Sequence, residues 1–508
     1  TTTANVGYNV RNAGTVDRTE SGIWPQGSMR IAGNYTGVAG SRLLVKSTWN
    51  DADVQENDRL VINGNASGNT RVSVPGNIIG GNVTLTTNEL IKGGKWLSPV
   101  IALAGSDDGE NNGLTFVGTA NTTNAGQAQL LKVGRNYYWT LGSCPAGTTL
   151  QGGLCAAPTA ILAPSVAGYT QTPRINREMG FAQMGQLHTR VGEQQTWVWD
   201  NCGKLCSDYR KLVGDSARPY PVWGRMSLGA MDEQGEERFG YNSKNSLLQF
   251  GVDVSTRTAD NGSRRYSGVM LSYGHSDNSF YDKNRSLHGI VSADKYTGSG
   301  NSDMFSIGGY STWYGANGSY VDLVGNISAL RNKYNSTDGE KGSQNGFGAG
   351  ISLEAGYPWQ IGSSNWQIEP QAQLAYQYTR LNSFNDGVRN ISAQDDGTLR
   401  GRLGVRMAWN ADNGQQRTNS FYGILNVLHD FTGNSSSATV GLDKIQERYA
   451  RTWGEVGIGG QLPLGKSTYL FGDVRYERAL GGYKNNVFTG NSTSRSGYSG
   501  RIGVRHQW

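Results

Sequence analysis

The 508-residue chain is 36% hydrophobic, holds 73 glycines, and carries a formal charge of +6, with its Lys and Arg scattered among 40 acidic residues. That length leaves room for two or three domains and a well-buried core, and the missing basic stripe argues against nucleic acid as a partner. No run of 18 apolar residues occurs, which excludes a helical membrane protein, whereas a spanning barrel needs only alternate strand residues to be apolar and hides inside a mean hydropathy of −0.51.

Thr1 opens on polar, strand-like sequence without a basic region followed by an apolar one, so a processed product or a piece of a longer precursor is expected. Residues 1–142 alternate short β-rich runs with Asn, Gly and Asp turns. The runs Arg59 to Ile62, Thr70 to Val74, Asn82 to Thr86 and Gly113 to Val117 are evenly spaced. This spacing predicts a parallel β-helix, with a sandwich as the alternative. Residues 143–172, rich in Gly, Pro, Ala and Thr, read as a linker. Cys144 with Cys155 and Cys202 with Cys206 are close pairs, disulfide candidates that fit an oxidising compartment. Zinc is the competing reading; the five histidines stand far from both pairs, and neither metal nor cofactor is expected.

At Thr172 the pattern changes. Thr172 reads as a cap, Pro173 as a first-turn residue, and Ile175, Met179, Met184, Leu187 and Val191 recur at helical spacing, which predicts a helix over 173–193. Gly180 and Gly185 cost it about 1 kcal/mol each relative to Ala, so it needs a surrounding wall. Residues 194–221 read as a periplasmic connection.

From 222 onward, segments with period-two alternation predict twelve membrane strands near 222–230, 246–256, 266–277, 304–314, 319–333, 346–357, 366–378, 398–410, 420–430, 450–462, 467–479 and 496–508. Trp366, Ile368, Ala372, Leu374, Tyr376 and Tyr378 alternate with Gln and Glu; Leu399, Leu403, Val405, Met407 and Trp409 alternate with arginines. Trp366, Tyr378, Trp409, Phe421 and Phe431 stand at strand ends, as interfacial girdles would. Twelve strands close at a backbone diameter of roughly 24 Å, room for one helix of ~10–12 Å. The 173–193 helix is therefore expected to plug the lumen. Its expected wall carries Arg225, Asp253, Glu354, Glu369, Arg400, Arg402, Arg406, Glu455, Asp473, Arg475, Glu477, Arg501 and Arg505 on inward positions. In the last strand Tyr498, Ile502, Val504 and Trp508 share a face and read as a C-terminal insertion signal.

Several segments together resemble a classical (type Va) autotransporter, pertactin-like or diffuse-adherence-adhesin-like, over nearly the whole chain. Asn57-Asp58-Arg59-Leu60-Val61-Ile62 and Ala66-Ser67-Gly68-Asn69-Thr70 are similar to the β-helix and autochaperone module, and Tyr137-Tyr138-Trp139-Thr140-Leu141 to its closing turn. Met184-Gly185-Gln186-Leu187-His188-Thr189-Arg190-Val191-Gly192 resembles the linker-to-barrel segment, and Val222-Trp223-Gly224-Arg225 the first strand. The resemblance implies a Gram-negative outer-membrane barrel, inserted with the barrel assembly machinery and periplasmic chaperones. It implies that residues 222–508 support export of the chain's own passenger, whose end spans 1–142 and which is displayed at the cell surface. Outer-membrane lipid and, through an adhesive passenger, a host surface or a second copy are the implied partners. A porin with a surface β domain is the alternative. Some family members cut the passenger off at an Asn-Asn pair in the helix or through acidic wall residues. Here Asn176 is followed by Arg177, which puts Asn-driven cleavage in doubt while Glu354, Glu369 or Glu455 leave the other route open.

No enzyme is expected. Gly214-Asp215-Ser216 superficially resembles a protease nucleophile segment, but Ala217 and Arg218 follow where an oxyanion hole needs Gly. Gly346-Phe347-Gly348-Ala349-Gly350 opens an alternating strand rather than a phosphate-binding helix.

Overall fold

The computed structural model describes residues 3–19, 27–49, 55–79, 85–93, 99–146, 158–194, 221–412, 418–465, 467–480 and 493–507. Its N-terminal part is built from three parallel ladders, each taking one strand from every successive coil. The first joins Thr3–Val6, Ser28–Ile31, Arg59–Ile62 and Ile101–Leu103. The second joins Val10–Asn12, Tyr35–Gly37, Ala66–Gly68 and Asp107–Gly109. The third joins Thr15–Asp17, Arg42–Leu44, Thr70–Ser73 and Phe116–Asn121. Parallel stacking puts like side chains above one another, so Ile31, Leu60, Ile62, Val72, Ile101 and Phe116 form one buried core. The expected run at 82–86 lies mostly outside the described residues, and a short helix, Thr87–Gly93, follows it.

A column of asparagines ties the coils at one corner. Asn34 N–H donates to Asn9 Oδ1 at 2.7 Å, Asn65 N–H to Asn34 Oδ1 at 2.8 Å, and Ser106 N–H to Asn65 Oδ1 at 2.9 Å. Each amide oxygen caps a backbone donor that no ladder reaches. Asn34→Ala hands the exposed Asn65 donor to water and is expected to cost the coil stack about 0.5–1.5 kcal/mol in urea melts followed by tryptophan fluorescence.

The stack is closed by an antiparallel hairpin, Gln127–Val133 with Asn136–Thr140, which pairs with Phe116–Asn121 on one side and Ile101–Leu103 on the other. Trp139 is fully buried there and donates to Ser47 Oγ. Tyr137 donates to the Asp107 carboxylate; burial first, and then Asp107, push its phenol well above the usual range, so it stays a donor.

The C-terminal part is a closed antiparallel ring of twelve strands: β1 Val222–Gln234, β2 Phe239–Thr258, β3 Arg264–Asp282, β4 Tyr296–Tyr314, β5 Tyr320–Ser336, β6 Lys341–Gly356, β7 Trp366–Leu381, β8 Gln394–Asp412, β9 Thr418–Thr432, β10 Thr452–Leu464, β11 Thr468–Ala479 and β12 Ser494–His506. Pairing of β12 with β1 removes the last free edge. Several strands run well past the expected limits, β2 for example over 239–258 rather than 246–256. Strand pairing continues into polar sequence beyond the apolar alternation, because backbone hydrogen bonds do not stop where lipid does. Outward, Leu403 is 69% exposed and Ile458 68%; inward, Arg402 is 3% and Arg406 2%. Trp366 pairs in register with Trp409, and Trp409 stacks on Phe421 with ring centres 6.1 Å apart, forming one aromatic rim. Connections at this rim are short (259–263, 315–319), whereas those at the far end include 283–295, 382–393 and 433–451. Long connections mark the cell exterior of such a barrel.

Candidate functional site: a helix held in the lumen

The helix differs from the sequence expectation. It runs over Ser165–Met184 (α1), breaks at Gly185 and resumes over Leu187–Val191 (α2), so eight residues assigned to the 143–172 linker are helical. Thr172 is not a cap: it lies inside α1 and its Oγ1 donates to Gly168 O at 2.8 Å. Pro173 is not in the first turn but at the ninth position, where its missing N–H would strand the Tyr169 carbonyl. Gln394 Nε2 on β8 supplies that bond at 2.9 Å. Composition read as breaker sequence here because the replacement donor comes from the wall. Gly185, at φ 63°, ends α1 and turns the chain into α2.

Both helices are enclosed on nearly all sides, polar faces included, so an amphipathic stripe does not describe them. Of the expected plug residues, Ile175 and Met179 pack with Tyr169, Tyr241 and Tyr334, while Met184, Leu187 and Val191 pack with Trp223, Tyr266 and Tyr310. α1 lies close against the wall at Gly180, where a Cβ would fall 2.2 Å from the Gln377 amide of β7. On its other side a cavity of about 230 Å³ separates it from β1 and β10–β12.

Charged groups of helix and wall interlock in tiers. In the middle tier Arg174 reaches Asp430 at 2.9 Å and Glu233 at 3.3 Å, Glu178 receives Arg400 at 2.5 Å, and Arg495 joins Glu178, Glu233 and Glu477. Below the α1 end, Arg225 donates to Ala182 O at 2.9 Å and to Thr189 O, placing a cation on exposed helix carbonyls. Around α2, His188 meets Glu369 at 2.7 Å, Leu187 N–H donates to Glu354, Arg190 pairs with Asp322 and Arg406 with Glu193. The remaining expected wall residues also point inward and are joined: Arg402 to Glu354, Arg475 to both Glu455 and Asp473, Arg501 to Asp473, and Arg505 to Asp253. Gly350 also faces in, its missing Cβ making room for Met184.

Sequence reasoning missed Arg174, Glu178 and Arg190 on the helices and Glu233, Asp322, Asp430 and Arg495 on the wall. Arg174 and Glu178 stand four apart, a spacing that carries ion pairs. Glu233 and Arg495 fell just outside strands drawn too short. Tyr498, Ile502 and Val504 face outward on β12, and Trp508 lies outside the described residues. Cys144 is disulfide-bonded; Cys155, Cys202, Cys206, most of the 194–221 connection and Gly214-Asp215-Ser216 also lie outside the described residues.

The long loops hold the end of the coil stack. Asp443 accepts from Thr87 N–H at 2.7 Å and Ala125 N–H at 2.9 Å. Gln129 bonds Ser286 O and Gly289 N–H, and Cys144 pairs as a strand bridge with Ile290. Arg389 grips Glu340 with two bonds of 2.7 and 2.8 Å while donating to Asn121 Oδ1 and Asn124 O. Arg389→Ala leaves the half-buried Glu340 without its cation and is expected to destabilise the seat by about 1–3 kcal/mol, less than for a fully sealed pair, read as faster hydrogen exchange at residues 121–127 with barrel exchange unchanged.

Comparison with known proteins follows the same lines. The Autotransporter beta-domain family model matches residues 222–475. The adhesin BmaC autotransporter of Brucella suis is 27% identical over 98% of this chain, which spans 14% of that protein's length. The pertactin autotransporter of Bordetella parapertussis is 27% identical over 51% of this chain and 26% of its own length. The transport unit of the autotransporter AIDA-I from Escherichia coli matches with a TM-score of 0.48 at 16% identity, covering 62% of this chain and 97% of that one. A domain matched over half the chain, closed into twelve strands, makes this chain a member of the autotransporter family with an outer-membrane translocator barrel.

Proposed function

We propose that the barrel supports export and surface display of its own N-terminal passenger, that residues 1–142 are the β-helical end of that passenger, and that the passenger is an adhesin. One observation carries the reading: the chain threads the lumen once, from the coil stack seated on the long loops, down α1 and α2, to the short-turn end where β1 begins. Outward passage of the chain would leave a segment so placed. Stacking of coils on the loop seat supplies a free-energy bias where no nucleotide is available, with the closing hairpin as its nucleus. Insertion engages the barrel assembly machinery and periplasmic chaperones through the last strand. The name of the Brucella relative supports adhesion, toward a host surface or a second copy. In this reading the chain is not an enzyme.

The test is whole-cell proteolysis of the chain produced behind an export signal. Protease added to intact cells should release the 1–142 region and spare the barrel; a region reached only after lysis would sink the reading. The same membranes address cleavage. Asn176 exchanges two amide bonds with Asn332, and Glu354, Glu369 and Glu455 are each committed to other partners. The passenger is therefore expected to stay attached, with mass spectrometry giving an unbroken 160–190 junction.

A further inference from the structure

We propose that the outward face of β5, β6 and β7, just beyond the apolar band on the long-loop side, binds the phosphates of the glycolipid that forms the outer leaflet. Along β5 the outward positions are apolar through Ile327 and Ala329 and then become Arg331 and Lys333, both exposed. Along β6 they pass from Phe347 to Asn345, Ser343 and Lys341, and along β7 from Tyr376 and Tyr378 to Arg380. Register places Arg331 beside Asn345, Lys333 beside Ser343, and Arg380 beside Phe347. The four cations thus share one sector of the wall. Arg331 stands two residues past Ala329, about 7 Å along the strand, which is the depth of a headgroup rather than of acyl chains.

Among the described residues none of these four side chains forms an ion pair or hydrogen bond. Two carboxylates flank the sector. Asp303 faces Arg331 in register and feels the charge of Lys333 without forming an ion pair with either, being held by His275 at 2.7 Å and Tyr273 at 2.6 Å, and Asp395 faces Arg380 without pairing to it. Inside the lumen, by contrast, Arg402, Arg475, Arg495 and Arg505 all have carboxylate partners. Cations without an ion pair, stepping outward from Arg380 beside Phe347 through Arg331 and Lys333 to Lys341 beside Asn335, on the face turned to lipid, complement a phosphate-bearing surface. The inference rests on the barrel's outer-membrane placement and on the orientation given by its loops. It does not depend on passenger export, so a failed display experiment leaves it standing.

The test uses the whole chain refolded in a neutral detergent and titrated, under native mass spectrometry, with bisphosphorylated lipid A or the same lipid with both phosphates removed. The phosphorylated form should bind at least tenfold more tightly, and raised ionic strength should narrow the gap. A chain carrying Arg331→Gln, Lys333→Gln, Lys341→Gln and Arg380→Gln should lose the preference while keeping its heat-modifiable mobility on gels. Equal binding of the two lipids by the unaltered chain overturns the proposal, as does an undiminished preference in the variant. The comparison of lipids on the unaltered chain decides even where the variant does not fold.

Discussion

Arg174→Leu should destabilise the plugged barrel by about 3–5 kcal/mol, because removing one cation from a buried ion network leaves Glu178, Glu233 and Asp430 with Arg400 and Arg495 as their remaining ion-pair partners, an excess of buried negative charge. Arg174 is fully buried in α1 and faces Glu233, Asp430 and Glu178, of which the first two are themselves sealed from solvent. The loss is read from the urea concentration at which the compact gel form disappears. Adding Glu233→Gln to the same chain removes one carboxylate of that excess, which would otherwise share Arg495 with Glu178 and Glu477, and should recover part of the loss, a non-additivity that a packing defect alone would not give. A loss under 1 kcal/mol, or strictly additive behaviour, contradicts the assigned network.

Gly180→Leu should unseat the helix. A Cβ at this position would meet the end of the Gln377 side chain at 2.2 to 2.6 Å, and since that amide is itself fully buried it has little room to clear a whole leucine side chain, so α1 is expected to move off β7 toward the cavity on its other side. Overpacking of this kind costs about 1–3 kcal/mol. The displaced helix also stops filling the lumen evenly, and single-channel recordings in planar bilayers should show a conductance step absent from the unaltered chain. Gln377→Ala in the same chain opens the space and should close the channel again. An unchanged recording for Gly180→Leu would mean that the close approach does not set the helix position.

The barrel was legible because its signal is local: lipid on one side and a polar lumen on the other force a period of two, seen in Leu403, Val405 and Met407 against Arg402 and Arg406. Strand ends were not, since lipid stops dictating residue type at the headgroups while pairing goes on, and Glu233 and Arg495 were lost with those ends. The helix was half legible. Its lower part follows apolar spacing, but Ser165 to Thr172 offers Gly168 and a following Pro173, and only the enclosing wall makes that sequence helical. The inward carboxylates and arginines could be placed on a face from parity alone. Which of them meet could not, because partners stand about 250 residues apart, Arg174 and Asp430 joined by the helix entering the lumen and Arg505 and Asp253 by ring closure.

The bond from Gln394 to the Tyr169 carbonyl gives the segment around Pro173 a dependence on location. In water the Tyr169 carbonyl would take its hydrogen bond from solvent, and the proline at the ninth position would leave that stretch a poor helix on its own. Only where β8 stands beside it does the coiled form become complete.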